Sequence, residues 1–284
     1  MLPIEAHAKI NLTLEVLGKR ADGYHEIRSV LQALSLHDTL HFEPSDTLCF
    51  RCDDLSWDAE KSLVTRAART LKEQLNVESG ARISLEKSIP LSSGLGGDSS
   101  DAAAVVEGLN QIWDLHMTHA EMTIFASSLG SDVSFFLDGP TALARGRGED
   151  ISVLPPPARA WVVLLLPEVR LDEPKTGFMY SLLKPEHFTS GAATEALAGR
   201  LAGVQAFTSD ELCNVFERVA FDAFTSLDRY WSEFREAACA RPHLAGAGPS
   251  LFALFEDKRR ADEVALTLEN RHLKVICTET LSKD

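Results

Sequence analysis

The chain has 284 residues, 45% of them hydrophobic and 25% charged, and its 28 basic and 42 acidic side chains leave a formal net charge of −14. This composition excludes general disorder and supplies enough apolar surface for a core without disulfides. The acidic balance argues against a nucleic-acid partner, which would need clustered Lys and Arg to neutralise phosphates. The length favours two domains of ordinary size.

No segment of the sequence is suited to crossing a membrane. The longest apolar run, residues 160–167, is far shorter than the ~20 residues of a membrane-spanning helix. The N-terminal residues lack the basic segment and apolar core of a signal peptide. Five cysteines form an odd, sparse set, which is typical of reduced thiols. We therefore expect a cytoplasmic protein without a membrane partner, and the sequence leaves its oligomeric state open.

Strands and helices alternate in the first half of the chain. Alternating apolar and polar residues predict strands over 8–17, 27–36, 39–43 and 81–87, and helical spacing predicts helices over 62–75, 101–109 and 118–129. A polar loop punctuated by glycine, residues 18–25, separates the first two strands. Thr118, with Glu121 three residues later, is a capping-box signature for the third helix.

Three prolines at 155–157 mark a change in composition and predict two domains, residues 1–154 and 155–284. Beyond the prolines, the pattern predicts a strand over 160–166, helices over 176–183, 192–202, 214–226 and 258–269, and a glycine loop that leads into an apolar strand after residue 250. Both halves mix helices and strands with few strand–helix–strand crossovers. The sequence therefore predicts the α+β class.

Residues 90–104, PLSSGLGGDSSDAAA, carry the strongest chemical signal. Their three clustered glycines allow positive φ angles and close approach to a ligand. The helix that follows directs its free N–H groups and positive dipole end into the loop, which favours a phosphate site. The alternative is a flexible turn that caps the helix. The loop is neither a Walker A motif nor a dinucleotide fingerprint, because Gly-Lys-Ser/Thr and the third spaced glycine are missing.

The same segment resembles the second motif of the GHMP small-molecule kinases. Residues 8–12 (AKINL) resemble the N-terminal motif of that family, and residues 246–253 (GAGPSLFA) resemble its C-terminal glycine loop. The resemblance implies a two-domain fold with the active site in the cleft between an N-terminal ATP-binding, catalytic domain and a C-terminal GHMP-kinase domain. It also implies ATP and Mg²⁺ as cofactors and a small-molecule alcohol as phosphate acceptor.

Two further motifs narrow the resemblance to one branch of the family. Residues 20–26 (RADGYHE) and 130–136 (GSDVSFF) are similar to the kinases that phosphorylate the 2-hydroxyl of a cytidine-diphosphate-linked methylerythritol in the non-mevalonate route to isoprenoids. The alternatives are another GHMP kinase, such as homoserine kinase, or a non-catalytic nucleotide-binding regulator. The Asp-Gly-Tyr-His loop at 22–25 argues against the first, and an intact pair of Lys9 and Asp132 argues against the second.

Lys9, Asn11 and Asp132 are the candidate polar groups for catalysis. Asp132, in a Gly-Ser-Asp turn, can accept a hydroxyl proton, although such an Asp more often serves as a turn or capping residue. Lys9 is a single cation in an apolar strand, where it either protects a strand edge or lowers the pKa of a nearby carboxylate. The resemblance implies that Lys9 and Asp132 are the catalytic pair. Asn11, on the same strand face as Lys9, is either a substrate donor or a strand-end polar residue.

The resemblance also implies the binding residues. The ATP contacts fall on Pro90, Gly94, Leu95, Gly96, Gly97, Asp98, Ser99 and Ser100, and the C-terminal loop adds substrate contacts from Gly246, Ala247 and Gly248. Tyr24 and His25 offer an aromatic face and a ring nitrogen to a pyrimidine, with an exposed loop tip as the alternative. Tyr180 offers a second aromatic face, with core packing on a helix as the alternative. The metal ligands are not assigned.

The chain departs from the family pattern at three positions. Asp98 stands where the family usually has glycine, Ser62 where it has asparagine, and Ser134 where it has proline. Because a carboxylate repels polyphosphate, we expect Asp98 to point into solvent with a negative φ, and magnesium binding is the alternative. The remaining metal-type residues are expected to be structural or surface groups: His37, His41, His116, His119, Cys49 and Cys52.

Overall fold

The computed structural model describes residues 1–169 and 175–282. Contacts divide the chain into two compact units, neither of them continuous in sequence. Unit 1 comprises residues 1–8, 36–91 and 96–139, and unit 2 comprises residues 9–35, 92–95 and 140 onward. Both units mix helices and strands, which confirms the predicted α+β class. No helix in the described ranges has both the length and the apolar character of a membrane span.

Two long strands contribute residues to both units. Strand β1 spans Leu2–Lys19 and β2 spans His25–Ser45. The prediction of two separate strands in the β2 region was wrong. The polar residues at the expected break do not form a turn, because Asp38 is buried and its Oδ1 accepts the backbone N–H groups of Ser88 and Ile89 at 2.6 and 2.8 Å.

The other elements of unit 1 are β3 (Cys49–Cys52), α1 (Leu63–Gln74), β4 (Gly80–Glu86), α2 (Gly97–Ile112), α3 (His119–Leu129) and α4 (Phe135–Asp138). Strand β4 pairs antiparallel with β2, with Glu86 opposite Thr39, and parallel with β3. Helices α1 and α3 confirm the prediction, and α3 has the expected capping box of Thr118 and Glu121. Helix α2 begins earlier than predicted, because its polar residues at 98–100 form the first helical turn.

The core of unit 1 lies between helices α1 and α2 and strands β2 and β4. Residues 102–106 of α2 are all buried, so this part of the helix is enclosed on every side. The apolar side chains around it include Leu40, Phe42, Val64, Leu71, Ile83 and Leu109. The helix that begins at the predicted phosphate loop is therefore anchored in the core, which holds its N-terminus in place.

The remaining elements of unit 2 are β5 (Thr141–Gly146), β6 (Asp150–Val153), β7 (Trp161–Leu165), α5 (Lys175–Ser181), α6 (Ala192–Ala202), β8 (Cys213–Asn214), α7 (Ala220–Ala223), α8 (Leu227–Ala238), β9 (His243–Leu244), β10 (Leu251–Phe255), α9 (Lys258–Glu269) and β11 (Val275–Glu279). β5 pairs antiparallel with β2 and β6, and β8 pairs parallel with β1 at Thr13 and Leu14. A second sheet has the order β11-β7-β10-β9 and is antiparallel throughout.

The prediction of one helix over residues 214–226 was wrong. The chain there forms the short strand β8, a 3₁₀ turn and the single-turn helix α7. The side chain of Asn214 interrupts the helix, because its Oδ1 accepts the Phe216 N–H at 3.0 Å and its Nδ2 donates to carbonyls of another segment. The predicted strand β7 and helices α6 and α9 are confirmed.

Candidate active site

The loop at residues 90–96 leads directly into the N-terminus of α2. Gly96 has a φ of 78° and is the N-cap, and the Ser100 N–H donates to the Gly96 carbonyl at 2.9 Å. The N–H groups of the first helical turn have no carbonyl acceptor within the helix. Together with the positive end of the helix dipole, they form a site suited to an anion such as phosphate.

The two glycine motifs of unit 2 pack backbone against backbone. Gly94 has a φ of +91°, and a Cβ there would lie 2.3 Å from the Ala245 oxygen and 2.7 Å from the Gly248 oxygen. Gly246 has a φ of +55°, and a Cβ there would lie 2.7 Å from the Gly94 oxygen and 3.1 Å from Lys9 Nζ. Both positions therefore require glycine. Two motifs that are about 150 residues apart in sequence meet at one place beside a lysine.

Lys9 and Asn11 are buried on β1 and joined by a chain of hydrogen bonds. Lys9 is 4% exposed, and its Nζ donates to Asn11 Oδ1 at 2.8 Å. Asn11 Nδ2 donates to Ser29 Oγ at 2.8 Å, and Ser29 Oγ donates to the Thr13 carbonyl at 2.6 Å. Lys9 does not protect an exposed sheet edge, because its side chain is buried and its backbone N–H donates to the Leu95 carbonyl at 2.8 Å. The chain of hydrogen bonds orients its ammonium group.

Asp132 lies in the turn between α3 and α4 in unit 1. Its side chain is half-buried, and the next residue, Val133, donates its N–H to the Gly130 carbonyl at 3.3 Å. Val133, Ser134 and Phe135 are buried, so the turn is anchored next to the carboxylate. Lys9 belongs to unit 2 and Asp132 to unit 1. Their action as a catalytic pair stays a prediction.

Asp98 contacts Ser62, another departure from the family pattern. The Asp98 Oδ1 accepts hydrogen bonds from Ser62 Oγ at 2.7 Å and from the Leu63 N–H at 3.1 Å. Ser62 is itself the N-cap of α1. Asp98 is exposed, as expected, but its carboxylate is also bonded to protein groups, because it caps a second helix. Asp98 lies in the first turn of α2 and is not a positive-φ residue, as expected.

His25 and Tyr180 stack on each other, with ring centroids 4.8 Å apart and planes inclined by 21°. That spacing leaves no room for a base between the rings, so a pyrimidine can contact only their edges or outer faces. Burial lowers the pKa of His25, and the charge of Lys19 lowers it further, which keeps the imidazole neutral near pH 7. Tyr24 is 54% exposed and lies below the Arg147 guanidinium at 4.8 Å.

The loop that carries Tyr24 and His25 is braced by its own charged residues. Arg20 donates to Asp22 Oδ2 at 3.1 Å and to Glu26 Oε2 at 2.6 Å. The Tyr24 N–H donates to Asp22 Oδ1 at 3.1 Å, which closes an Asx turn. Most polar residues of the motif at 20–26 therefore stabilise the conformation of their own loop.

Lys175 is a candidate site residue that the sequence analysis missed. Its Nζ donates to the Ser92 carbonyl at 2.9 Å and also to the Gly248 carbonyl. Burial lowers the pKa of Lys175 to about 7, with a further contribution from the charge of Lys9. Lys175 thus joins the two glycine motifs through their carbonyl groups. A single lysine between a proline and a threonine gave no sequence signal for this role.

Asn214 is a second residue whose role the sequence analysis missed. Its Nδ2 donates to the carbonyls of Leu244 and Gly246, at 2.8 Å in each case, and it is 5% exposed. A buried amide that satisfies two loop carbonyls holds the C-terminal glycine motif in position. The available signal was a single amide within the apolar stretch 212–216.

Comparison with known proteins gives matches over almost the whole chain. The model of the GHMP kinases N terminal domain matches residues 62–140, and that of the GHMP kinases C terminal matches residues 192–275. A 4-diphosphocytidyl-2-C-methyl-D-erythritol kinase from Dehalococcoides mccartyi is 44% identical over 265 residues, which are 93% of each chain. A protein of the same name from Bacillus cereus is 36% identical over 268 residues, 93% of this chain and 91% of that one.

Solved structures give the same result. A crystal structure of 4-(cytidine 5'-diphospho)-2C-methyl-D-erythritol kinase superposes with a TM-score of 0.82 at 31% identity and covers 99% of this chain and 100% of that one. A homoserine kinase from Cytophaga hutchinsonii, at 20% identity and a TM-score of 0.68 over 96% and 95% of the two chains, shares the fold. The chain therefore belongs to the GHMP kinases, a family of ATP-dependent small-molecule kinases.

Proposed function

We propose that this GHMP kinase transfers the γ-phosphoryl group of ATP to the 2-hydroxyl of 4-diphosphocytidyl-2-C-methyl-D-erythritol, a step of the non-mevalonate route to isoprenoids. The observation that carries this choice of acceptor is the 44% identity, over 93% of the chain, to a kinase of that name. The predicted motif at residues 20–26 is ordered by Arg20 and Asp22, which supports the same choice.

ATP binds, in this proposal, at the N-terminus of α2. The residues that hold its phosphates are Pro90, Gly94, Leu95, Gly96, Gly97, Asp98, Ser99 and Ser100, chiefly through backbone N–H groups. Asp98 takes part through its own backbone N–H, because its carboxylate already accepts hydrogen bonds from Ser62 and Leu63. The chain has a net negative charge and its loop has no basic run. We therefore expect the dipole of α2 to stabilise the phosphate charge.

Magnesium is part of the proposal as the ion that accompanies ATP. It prefers hard oxygen ligands and usually keeps several waters and phosphate oxygens. Among the loop side chains, Asp98 is already bonded to α1, and Ser100 is 2% exposed. In this proposal the hydroxyl of Ser99, a half-buried residue, supplies a side-chain oxygen to the ion. When bound, Mg²⁺ neutralises charge on the transferred phosphoryl group.

Lys9 and Asp132 act on the acceptor alcohol. Asp132 receives the hydroxyl proton while the hydroxyl oxygen forms a bond to the γ-phosphorus and the bond to the bridging oxygen of ADP breaks. The hydrogen bond from Lys9 Nζ to Asn11 orients the ammonium group, and in this proposal Asn11 contacts the acceptor.

The cytidine end of the acceptor is recognised by His25, Tyr24 and Tyr180. A neutral imidazole can both donate to and accept from the polar edge of cytosine, and the stacked tyrosine holds that imidazole in place. The backbone of Gly246, Ala247 and Gly248 contacts the acceptor in this proposal, and Gly246 lies beside Lys9. The proposal also includes a cytoplasmic location, a compartment in which cysteine thiols stay reduced.

A panel of acceptor alcohols tests the proposal. We would measure ADP release from ATP and Mg²⁺ with 4-diphosphocytidyl-2-C-methyl-D-erythritol, homoserine and mevalonate, and locate the new phosphate by ³¹P NMR. The expected result is a kcat/KM at least about 100-fold higher for the cytidyl acceptor, as selective polar contacts give. Asp132→Asn is the inactive control. Preference for another alcohol, or phosphate on another hydroxyl, would contradict the proposal.

A further inference from the structure

Unit 1 carries a cluster of one carboxylate and two imidazoles that the proposed kinase site does not use. In β1, Ala6 and Ala8 point into the core, so the alternation of the strand places Glu5 and His7 together on the opposite face. His37 lies on β2, the strand that is hydrogen-bonded to β1. The sequence analysis expected His37 to be a structural or surface residue, because only the strand pairing brings it to Glu5 and His7.

The distances within this cluster suit one small cation. His7 Nε2 is 3.6 Å from Glu5 Oε2, and His37 Nε2 is 3.8 Å from Glu5 Oε1. One ligand atom of each of the three residues lies within 4.8 Å of the others. Two ligands bound to tetrahedral zinc at ~2.1 Å are roughly 3.4 Å apart. Small rotations of an exposed Glu5 and two half-buried histidines bring the three atoms to that spacing.

The two imidazole rings are already placed for joint binding. Their centroids are 5.3 Å apart and their planes are inclined by 72°, so the rings meet edge to face and do not stack. Two histidines and one carboxylate form a known ligand set for zinc, with water in the remaining position. Magnesium and calcium require oxygen ligands and do not suit imidazole nitrogen.

We propose that Glu5, His7 and His37 form a binding site for a borderline divalent cation, zinc above all, distinct from the magnesium that accompanies ATP. The bound ion links β1 to β2 through side chains on the face opposite the core. Because an ion that binds only the folded chain stabilises it, zinc should raise the melting temperature.

A zinc titration of the full chain, carried out in excess Mg²⁺ against a chromophoric chelator, tests this site. The expected result is one Zn²⁺ per chain, with affinity at least about tenfold lower in His7→Gln and in His37→Gln and lost in the double variant. The matched control is His41→Gln on the same strand, whose Nε2 contacts Glu86 Oε1 at 3.1 Å, outside the cluster. This control should bind zinc as the wild type does.

The thiols of Cys49 and Cys52 are free and could bind zinc in place of the proposed site. The test must therefore distinguish binding at these thiols from binding at Glu5, His7 and His37. A chain with Cys49→Ser and Cys52→Ser should keep the zinc affinity, and Co²⁺ in the wild type should show no thiolate charge-transfer band. Zinc should raise the melting temperature of the wild type but not of the folded His7→Gln/His37→Gln chain. Lack of zinc binding by the wild type, unchanged binding by that double variant, or loss of binding in the cysteine variant would overturn the proposal.

Discussion

The Ser62 hydroxyl donates a 2.7 Å hydrogen bond to the Asp98 carboxylate, so two of the positions at which this chain departs from the family pattern contact each other. Ser62 caps α1 through the Val64 N–H, and Asp98 accepts the preceding N–H, that of Leu63. Ser62, the N-cap of α1, and Asp98, in the first turn of α2, thus accept two of the backbone N–H groups at the start of α1. The two departures are therefore best understood as one structural unit.

We predict that Asp98→Gly destabilises the fold by about 1 kcal/mol, the usual effect of losing a helix cap, while ATP binding becomes slightly tighter because a like charge is removed. Urea unfolding of the wild type, Ser62→Ala, Asp98→Gly and the double variant forms a mutant cycle. The coupling free energy should be clearly different from zero. Strictly additive effects, or a several-fold rise in the Mg²⁺ requirement of Asp98→Gly, would contradict this role.

Asp132→Asn should fold and bind both substrates but lower kcat by on the order of 10²–10⁴, because the acceptor hydroxyl loses its proton acceptor. The amide has nearly the same size as the carboxylate, so the turn at Gly130 and Val133 should be retained. Single-turnover kinetics and circular dichroism check the two parts of this prediction. A folded variant with near-normal turnover would remove Asp132 from the mechanism.

His25→Ala should raise the KM for the cytidyl substrate much more than the KM for ATP. The reason is that His25 stacks on Tyr180 rather than on the residues around the phosphate loop. Tyr180→Phe keeps the stacked ring and serves as the matched control with a small effect on either KM. Initial-rate kinetics with each substrate varied in turn measure both constants, and equal changes in the two would refute the assignment.

Lys175 should make stability depend on pH in the alkaline range. Its pKa is lowered from 10.5 to about 7, so between these values the unfolded chain holds a proton that the folded chain has released. The contribution of Lys175 to the free energy of unfolding therefore rises as pH increases from about 7 to 10.5. Below pH 7 the folded chain must hold a buried charged lysine, and the full destabilisation is present. Urea unfolding of the wild type and Lys175→Met, at pH 7, 8, 9 and 10, measures the difference. A constant difference across the series would exclude the shift.

Asp101 should make the protein less stable as pH rises from about 4 to 8, the opposite of the effect of Lys175. Its carboxyl is 1% exposed and shares Lys87 with Asp38, and burial, opposed by Lys87 and reinforced by Asp38, raises its pKa from 3.8 to about 8. The folded chain then keeps a proton that the unfolded chain loses, so the contribution to stability falls as pH rises through this window. Asp101→Asn should remove that fall.

Lys87→Met is the contrasting variant for the same cluster. It leaves Asp38 and Asp101 buried without their cation, which should cost about 3–5 kcal/mol of stability near neutral pH. Asp101→Asn imitates the protonated acid and should be nearly neutral there. Chemical unfolding at pH 7 compares the two, and similar losses in both variants would show that Asp101 is ionised in the folded chain.

The sequence was sufficient to predict elements whose pattern is local. Helices α1, α3, α6 and α9 follow apolar spacing and capping signals, and β7 is a short apolar run bounded by prolines. The long β2 was not predicted, because a buried Asp38 resembles a turn signal when its partners at Ser88 and Ile89 are unknown. The helix predicted after Cys213 failed for a similar reason, since Asn214 bonds to carbonyls of a distant loop.

In the candidate site too, features set by local sequence could be predicted, and features set by contacts between distant segments could not. Motif glycines, Lys9 and Asp132 could be proposed from the sequence, because short spacings carry the resemblance. Lys175 could not, since its role depends on two carbonyls, those of Ser92 and Gly248, which tertiary structure brings to one place. The stacking of His25 on Tyr180 is likewise a contact between segments about 150 residues apart in sequence.

The discontinuity of unit 2 affects how the chain acquires its structure. Residues 9–35 belong to the same unit as the segment from Pro140 onward, and Leu34 forms a bridge with Thr280. During synthesis, residues 9–35 leave the ribosome long before the C-terminal segment has been made. Their apolar faces therefore stay uncovered until that segment can pack against them. A gene divided after residue 154 would place these strands on a different polypeptide from the C-terminal segment. Expression of either half alone should therefore give a chaperone-dependent, aggregation-prone fragment, and co-expression should restore solubility.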